Sequence, residues 1–193
     1  MLLYLIIILI CMSVIATANS ILSAGGYGFW YIILMDICCT VAVIIIDALV
    51  AFIIRYVLPQ RLFDVNKRGF CASRNEKVFL EKLGIKKWKD RIPELGGFTA
   101  FHKDKIYNPR SSEYLKRFIV ESNTGIACHL AGGIVGFLIV LFYPFSTLVW
   151  VALPVATVNL ILNILPMEVL RYNLYKLRAL YNCCRETTNN QNI

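Results

Sequence analysis

The sequence predicts an all-α membrane protein with about four transmembrane helices and a basic cytoplasmic loop between the second and third spans. Of its 193 residues, 58% are hydrophobic and 17% are charged, and the mean hydropathy is +0.63. Several apolar runs reach the length of about 20 helical residues that the hydrocarbon layer requires. The net charge of +8 is concentrated between these runs. Together these features argue against a disordered chain, a soluble enzyme and a nucleic-acid partner.

Residues 1–58 are predicted to form two transmembrane helices. Residues 1–22 carry no charged side chain and are predicted as a retained first span. A cleaved signal peptide is the alternative, because small residues near the end of this segment resemble a cleavage site. A turn at 23–28 contains glycines and leads to Trp30, an aromatic residue of the kind found at membrane interfaces. The second span then runs from about 29 to 57.

Residues 59–117 are predicted to form a basic cytoplasmic loop, because they contain 15 Lys and Arg residues and positive loops face the cytoplasm. Within the loop, residues 75–83 carry apolar side chains at helical spacing with charges opposite. This pattern predicts an amphipathic helix on the membrane surface. Residues 84–94 then combine Trp88 with dense positive charge. Two interpretations remain open for this segment: attraction to anionic membrane lipid, or binding of a phosphorylated or CoA-type donor.

Residues 118–166 are predicted to form two further transmembrane helices, at 118–143 and 147–166, joined by a short outer turn. Residues 167–193 form a basic tail, which is therefore predicted to be cytoplasmic. With four spans, the basic loop and the basic tail are predicted to lie on the same side of the membrane, which agrees with their charge. The expected topology is multi-pass, with the loop and the C terminus on the cytoplasmic side.

The seven cysteines include no CxxC pair and no Cys/His ligand spacing. Neither a disulfide framework, a metal site nor a tightly bound cofactor is predicted. Acylation of Cys183 and Cys184, which follow the last span and a basic segment, is a minor alternative to a packing role. The chain also lacks a GxSxG elbow, an HEXXH motif, a P-loop and a dinucleotide fingerprint. Without a recognised nucleophile, direct transfer between two substrates fits better than hydrolysis.

Polar side chains inside the predicted spans are the candidate functional residues, because they are costly in hydrocarbon. Asp36 and Asp47 recur on nearly the same face of span two. Span three carries Glu121 near its start, and His129 lies about 12 Å deeper. Glycines flank His129, including a GxxxG, and such small residues usually allow close helix packing.

In span four, Asn159 and Asn163 lie four residues apart and hence on one face, at depths comparable with His129 and Asp47. A polar cluster from three helices, open to the cytoplasmic side, is therefore predicted. It suits His129 as a general base in acyl transfer, held by a carboxylate and an amide, and it also suits an ion or proton path. The structural alternatives are an interhelical hydrogen bond for His129 and pairing of Asp47 with Arg55.

Three segments carry a family resemblance over about residues 85–178. They are KWKDRIPE at 87–94, the Glu121-x7-His129 spacing, and Asn163 followed eight residues later by Arg171-Tyr172-Asn173. Their order and separations resemble the glycosyl-4,4'-diaponeurosporenoate acyltransferase family. The resemblance implies a small bacterial membrane enzyme that transfers a fatty acyl group to a sugar hydroxyl of a glycosylated carotenoid. Another glycolipid or isoprenoid glycoside would fit the same chemistry.

The resemblance also implies site residues. His129 is expected as general base, Glu121 as its orienting or proton-sharing partner, and Asn163 as a polar ligand to the reacting group. The expected substrate-binding residues are Trp88, Lys89, Arg91, Asn159, Arg171 and Asn173.

The implied partners are a fatty acyl donor, either acyl-CoA or acyl-carrier protein, a glycosylated isoprenoid or glycolipid acceptor, and anionic membrane lipid. The implied location is the bacterial plasma membrane. A non-catalytic function, as a small transporter or a partner-binding membrane subunit, is the alternative, and it draws on Asp36, Asp47 and the GxxxG.

Overall fold

A computed structural model describes residues 2–21, 28–92, 106–141 and 150–191, and the regular elements among these residues are all helical. The α-helices are α1 (Leu2–Ile21), α2 (Phe29–Phe52), α3 (Arg74–Lys82), α4 (Ile85–Trp88), α5 (Ser112–Val135) and α6 (Ala152–Gln191). A π-helix continues α2 over Ile53–Val57, and 3-10 helices lie at Gln60–Phe63, Arg68–Phe70, Lys89–Arg91 and Gly136–Leu141. The all-α prediction is confirmed for this part of the chain.

Three helical segments in the described ranges are long and apolar enough to cross a membrane. They are Phe29–Val57, Ser112–Leu141 and Ala152–Glu186. The apolar helix at the N terminus, counted over Leu5–Ile21, is shorter. These helices fit a membrane protein, while the count of four spans and the cytoplasmic orientation stay predictions.

Two helices extend beyond their predicted spans. α5 begins at Ser112 rather than at 118, and α6 continues through Pro166 to Gln191 rather than ending at 166. Beyond the proline, apolar side chains recur at helical spacing and are buried: Val169, Tyr172, Leu174 and Leu177. Proline removes one backbone hydrogen bond, and tertiary packing of this face supports the helix across it.

Parts of the predicted loops lie outside the described residues. These parts are the glycine turn at 23–27, the end of the basic segment at 93–94 and the outer turn at 143–146. The rest of the predicted loop at 59–117 is described up to residue 92 and again from 106.

The chain divides into two compact units, of which unit 1 comprises Met1–Ile53 and Cys128–Ile164. Its core consists of Ile15, Ile32, Cys39, Val43, Ile139, Val151, Ala152, Val155 and Ala156. Large apolar side chains also cover its outside, among them Val14, Trp30 and Ile44. A surface of exposed apolar side chains is what solvation by lipid requires.

Unit 2 comprises Ile54–Ala127 and Leu165–Ile193 and contains two apolar clusters. One cluster is built from α5 and α6 with Val65, and the other surrounds Ile85. Asn123 is fully buried, and its Nδ2 donates hydrogen bonds to the backbone oxygens of Phe63 (2.9 Å) and Asp64 (3.2 Å). The amide thereby fixes the loop after span two against α5.

α3 has well-defined ends. A capping box begins it: Ser73 Oγ accepts from the Glu76 N–H (3.1 Å) and Glu76 Oε2 accepts from the Ser73 N–H (3.3 Å). It stops before Gly84, whose φ of 71° is a left-handed conformation that favours glycine. Leu80 is buried, whereas three apolar side chains are exposed: Val78, Phe79 and Leu83. A helix is therefore present in this segment, and its amphipathic role on a membrane surface stays a prediction.

Candidate active site

Side chains from three helices meet in unit 1. Asp47 of α2, His129 of α5, and Asn159 and Asn163 of α6 form what we call the polar cluster. Asn163 Nδ2 donates to Asp47 Oδ2 (3.0 Å) and Asn159 Oδ1 (3.1 Å), and Asn163 Oδ1 lies 3.0 Å from His129 Nδ1. Asn159 Nδ2 donates to Asp47 Oδ1 (3.3 Å). The structure thus joins polar residues that the sequence placed at similar depths.

The chemistry of the partners determines where the imidazole carries its proton. Asp47 accepts hydrogen bonds at both carboxylate oxygens, so Asn163 must turn its NH2 toward Asp47 and its carbonyl oxygen toward His129. Because an amide oxygen only accepts, Nδ1 of His129 carries the hydrogen. In the neutral ring the lone pair therefore lies on Nε2. An imidazole held in this tautomer is suited to remove a proton from a hydroxyl group.

Glycines near the end of α5 and at the start of the 3-10 helix that follows it make the room that the polar cluster needs. A Cβ added at Gly132 would lie 2.9 Å from Asp47 Oδ1, and one added at Gly136 would lie 2.5 Å from Asn159 Nδ2. Both distances are too short for real carbon atoms, so any other residue would displace these polar groups. The sequence predicted that the glycines serve helix packing. In the structure they also admit the side chains of the polar cluster.

The polar cluster is largely removed from solvent. Asn159 and Asn163 are each 9% exposed, and Asp47 and His129 are half-buried. A polar group without a partner is costly in an apolar environment, and mutual hydrogen bonding offsets that cost here. The alternative pairing of Asp47 with Arg55 is not the one observed, since the partners of Asp47 are the two amides.

Sequence reasoning noted Asp47 as an intramembrane acid without assigning it to the catalytic set. The sequence feature that pointed to Asp47 is that it shares a helix face with Asp36, eleven residues earlier. The two carboxylates differ in the structure. Asp36 is 1% exposed, and its Oδ1 has no hydrogen-bond partner among the described residues. Only Asp47 belongs to a network that reaches His129.

Glu121 lies in unit 2, where Arg55 Nη1 donates to its Oε1 in an ion pair. The exposed side-chain fractions are 32% for Arg55 and 28% for Glu121. The structure thus gives Glu121 a cationic partner, whereas His129 contacts Asn163. The role expected of Glu121, as orienting partner of the base, stays a prediction.

The expected donor-binding residues of the basic segment lie on α4 and the turn after it. Trp88 packs with Ile92 against an apolar cluster, and its Nε1 donates to the backbone oxygen of Leu83 (3.2 Å). Lys89 Nζ lies 3.4 Å from Asp90 Oδ1, and Arg91 is exposed. The tryptophan is therefore anchored in unit 2, and the Arg91 guanidinium is accessible to an anion.

Arg171 is held by an acid that the sequence analysis did not single out. Its Nε and Nη2 donate to Glu76 Oε1 (2.6 Å) and Oε2 (2.7 Å), and its Nη1 donates to the Gly69 backbone oxygen (3.1 Å). These hydrogen bonds from the Arg171 guanidinium hold the pKa of Glu76 below its usual value. The sequence feature that could have drawn attention to Glu76 is its place in the capping box with Ser73. Asn173, on the same helix, is half-buried.

No group of three or more His, Cys, Asp or Glu side chains in the described ranges could hold a metal ion. The seven cysteines all lie in these ranges, and none of them forms a disulfide there. The polar cluster itself offers an imidazole, a carboxylate and two amides.

Comparison with protein families finds a match. The family model described as glycosyl-4,4'-diaponeurosporenoate acyltransferase matches residues 59–182, which is well over half of the chain. The matched range contains His129, Asn159 and Asn163, and it begins after Asp47. No curated protein and no solved structure matches the chain.

Proposed function

We propose, because the chain belongs to the glycosyl-4,4'-diaponeurosporenoate acyltransferase family, that it transfers a fatty acyl group to a sugar hydroxyl of a glycosylated carotenoid or related glycolipid. Family membership supports an acyltransferase role in carotenoid glycolipid modification and gives no support to a transporter or a partner-binding subunit. The observation that carries the catalytic assignment is the hydrogen-bonded chain from Asp47 through Asn163 to His129.

In the proposed reaction, Nε2 of His129 takes the hydroxyl proton while the hydroxyl oxygen attacks the acyl carbonyl carbon. A C–O ester bond forms, and the C–S bond of a thioester donor breaks. The imidazolium then returns its proton to the departing thiolate, so that atoms and charges balance without a covalent enzyme intermediate. The base needs to be oriented in both steps.

Asn163 supplies that orientation by binding Nδ1–H, as the asparagine does in Cys-His-Asn catalytic sites. Asp47 in turn prevents the Asn163 amide from rotating, because its Oδ2 accepts from Nδ2. Asn159 occupies the second carboxylate oxygen and thereby completes the support. We assign His129 as the catalytic residue, and Asp47, Asn159 and Asn163 as positioning residues.

The donor is proposed to be acyl-CoA or acyl-carrier protein, whose phosphate groups suit the basic segment. Arg91 is exposed and can contact an anionic group or anionic membrane lipid, and the half-buried Lys89 is the neighbouring candidate. Arg171 holds α3 through Glu76, Trp88 is anchored to the backbone of Leu83, and Asn173 is the remaining candidate contact. The proposed location is the bacterial plasma membrane, with the loop and the C terminus in the cytoplasm.

The test compares lipid extracts by mass spectrometry. A host that makes a glycosylated carotenoid but no acylated form expresses either the wild type or His129→Ala. We expect the acylated product with the wild type and a decrease of roughly 10²–10⁴-fold with the variant, because general base catalysis contributes that much.

Leu130→Ala is the matched control, since Leu130 follows His129 on α5 and is 49% exposed. It is expected to keep wild-type product levels, and immunoblots of the membrane fraction check that all three proteins are inserted equally. Wild-type levels of product from His129→Ala would show that the base is wrongly assigned. No product from any of the three would count against the acyltransferase itself.

A further inference from the structure

A half-enclosed groove lies in unit 1 between α1, α2 and α6. Each helix lines it with residues three and four positions apart, which is the spacing of a single helical face. Its walls include Met12 from α1, Val43 from α2 and Val158 from α6, and no Asp, Glu, Lys or Arg lines it. The groove therefore offers an apolar surface on three sides.

The groove shares a residue with the polar cluster. Asn159 is part of its lining, and the same side chain donates to Asp47 and accepts from Asn163. From Asn159 the hydrogen bonds lead through Asn163 to His129. A molecule in the groove would thus have its apolar part against the three helices and a polar end beside Asn159, which hydrogen bonds connect through Asn163 to the catalytic imidazole.

The size of the groove favours one kind of occupant. Its empty space, including the open side, is about 380 Å³. Because part of this space is open, the groove holds a segment of a flexible apolar chain. A flexible fatty chain fits such a groove, whereas a rigid glycosylated polyene exceeds it. Burial of each methylene strengthens binding roughly fourfold.

We propose that this groove binds the fatty acyl chain of the donor and brings its thioester carbonyl to the polar cluster. This inference rests on the proposed acyl transfer and adds the chain-binding site to it. The groove then selects the chain length of the transferred acyl group, because its walls limit how many methylenes are buried.

The first experiment changes the groove and reads the chain length of the product. Val158→Phe places a larger side chain in the groove, and Ile161→Phe is the matched control, since Ile161 lies on the same helix and is 52% exposed. Each variant receives an equimolar mixture of acyl-CoA donors with about 10 to 18 carbons, because each added methylene changes the apolar area available for burial. We expect Val158→Phe to lower the ratio of long-chain to short-chain product at least about tenfold, as loss of two buried methylenes does.

The control variant is expected to keep the wild-type chain profile. Met12→Ala is a second groove variant, which enlarges the space and should shift the profile toward longer chains. An unchanged profile in both groove variants, with transfer intact, overturns the inference while leaving the acyltransferase proposal in place.

A second experiment does not require turnover. Purified His129→Ala in detergent is photolysed with palmitoyl-CoA that carries a terminal diazirine, and the labelled peptides are mapped by mass spectrometry. We expect labels on the helix faces that line the groove, displaced by unlabelled palmitoyl-CoA. Equal labelling by a diazirine phospholipid of the same chain length, or labels elsewhere, would show general lipid contact and would overturn the inference.

The two experiments separate the two proposals. Specific labelling of the groove with no transfer by the wild type contradicts the proposed function and supports the groove as an acyl-CoA site. Transfer without groove labelling and without any change in chain profile supports the function and contradicts the groove assignment.

Discussion

Units 1 and 2 use their polar residues differently. In unit 1 the carboxylate of Asp47 accepts hydrogen bonds from two neutral amides, and one of these amides, that of Asn163, also contacts the imidazole of His129. In unit 2 the comparable acids face guanidinium groups: Glu121 pairs with Arg55 and Glu76 pairs with Arg171. Both arrangements satisfy charges, but of the two only the first includes an imidazole ring.

The difference shows how polar residues can be sorted by role. An Arg–carboxylate pair cancels charge and holds two chain segments together, which favours structure. Amides between an acid and a histidine fix a tautomer, which favours proton transfer. Substitutions in unit 1 should therefore affect turnover first, and substitutions in unit 2 should affect stability first. The following predictions test this division from the largest effect to the smallest.

The largest effect is expected from Asn163→Leu. Leucine is similar in size to asparagine but has no amide, so the hydrogen bonds that connect Asp47 with His129 are lost. We expect kcat to fall by roughly 10²-fold with little change in KM, because the base loses its orientation but the substrates still bind. Acyl transfer is measured with purified protein in detergent. Asn182→Leu is the control, as Asn182 lies exposed on the same helix. An Asn163→Leu enzyme with normal kcat would remove this residue from the mechanism.

A smaller effect is expected from Gly136→Ala. The new methyl group would lie 2.5 Å from Asn159 Nδ2, so the polar cluster must shift. We expect activity to fall about tenfold, since a displacement of a few tenths of an ångström weakens several hydrogen bonds at once.

Gly125→Ala, on the preceding helix α5, is its matched control. There the added carbon meets a Leu170 methyl at 3.1 Å, at the end of a flexible side chain that can move aside. If both glycine variants lose activity equally, general helix packing explains the result better than crowding of the polar cluster.

The sequence predicted the class of fold and most members of the polar cluster, because intramembrane His and Asn residues are conspicuous and helical spacing relates them. It did not reveal that Asp47 contacts the amides, since which face of α2 meets α6 depends on packing. It also missed Glu76 as the partner of Arg171, because 95 residues separate them. The end of the fourth span was predicted at Pro166, where local propensity indicates a break and buried contacts of the following residues maintain the helix.

In unit 2, Glu76→Gln is expected to lower stability by about 1–2 kcal/mol, because the side chains of this ion pair are only 26% and 21% exposed. The pKa of Glu76 is below its usual value, so the folded state binds its proton more weakly than the unfolded state does. Its stabilising contribution is therefore complete above the unfolded pKa, about 4.3, and is lost as the pH falls through the lower folded-state pKa.

Thermal unfolding in detergent between about pH 3 and pH 7 measures this contribution through the linkage between pKa and stability. Relative to wild type, Glu76→Gln should show a lower midpoint at neutral pH and a difference that shrinks at acid pH. Glu113→Gln serves as the control, because Glu113 is exposed near the start of α5. A constant difference across the whole pH range would mean that the ionised carboxylate is not what stabilises unit 2.

The smallest effect is expected from Ser73→Ala, which removes the hydroxyl that caps α3. Loss of such a cap costs about 1 kcal/mol, or roughly 2–4 °C in the unfolding midpoint for a protein of this size. Ser73→Asp should restore most of the midpoint, because a carboxylate also accepts from the Glu76 N–H. Glu76 belongs both to the cap and to the ion pair with Arg171, so the two losses should not add in Ser73→Ala/Glu76→Gln. Strict additivity would instead show that the capping box and the ion pair stabilise unit 2 independently of each other.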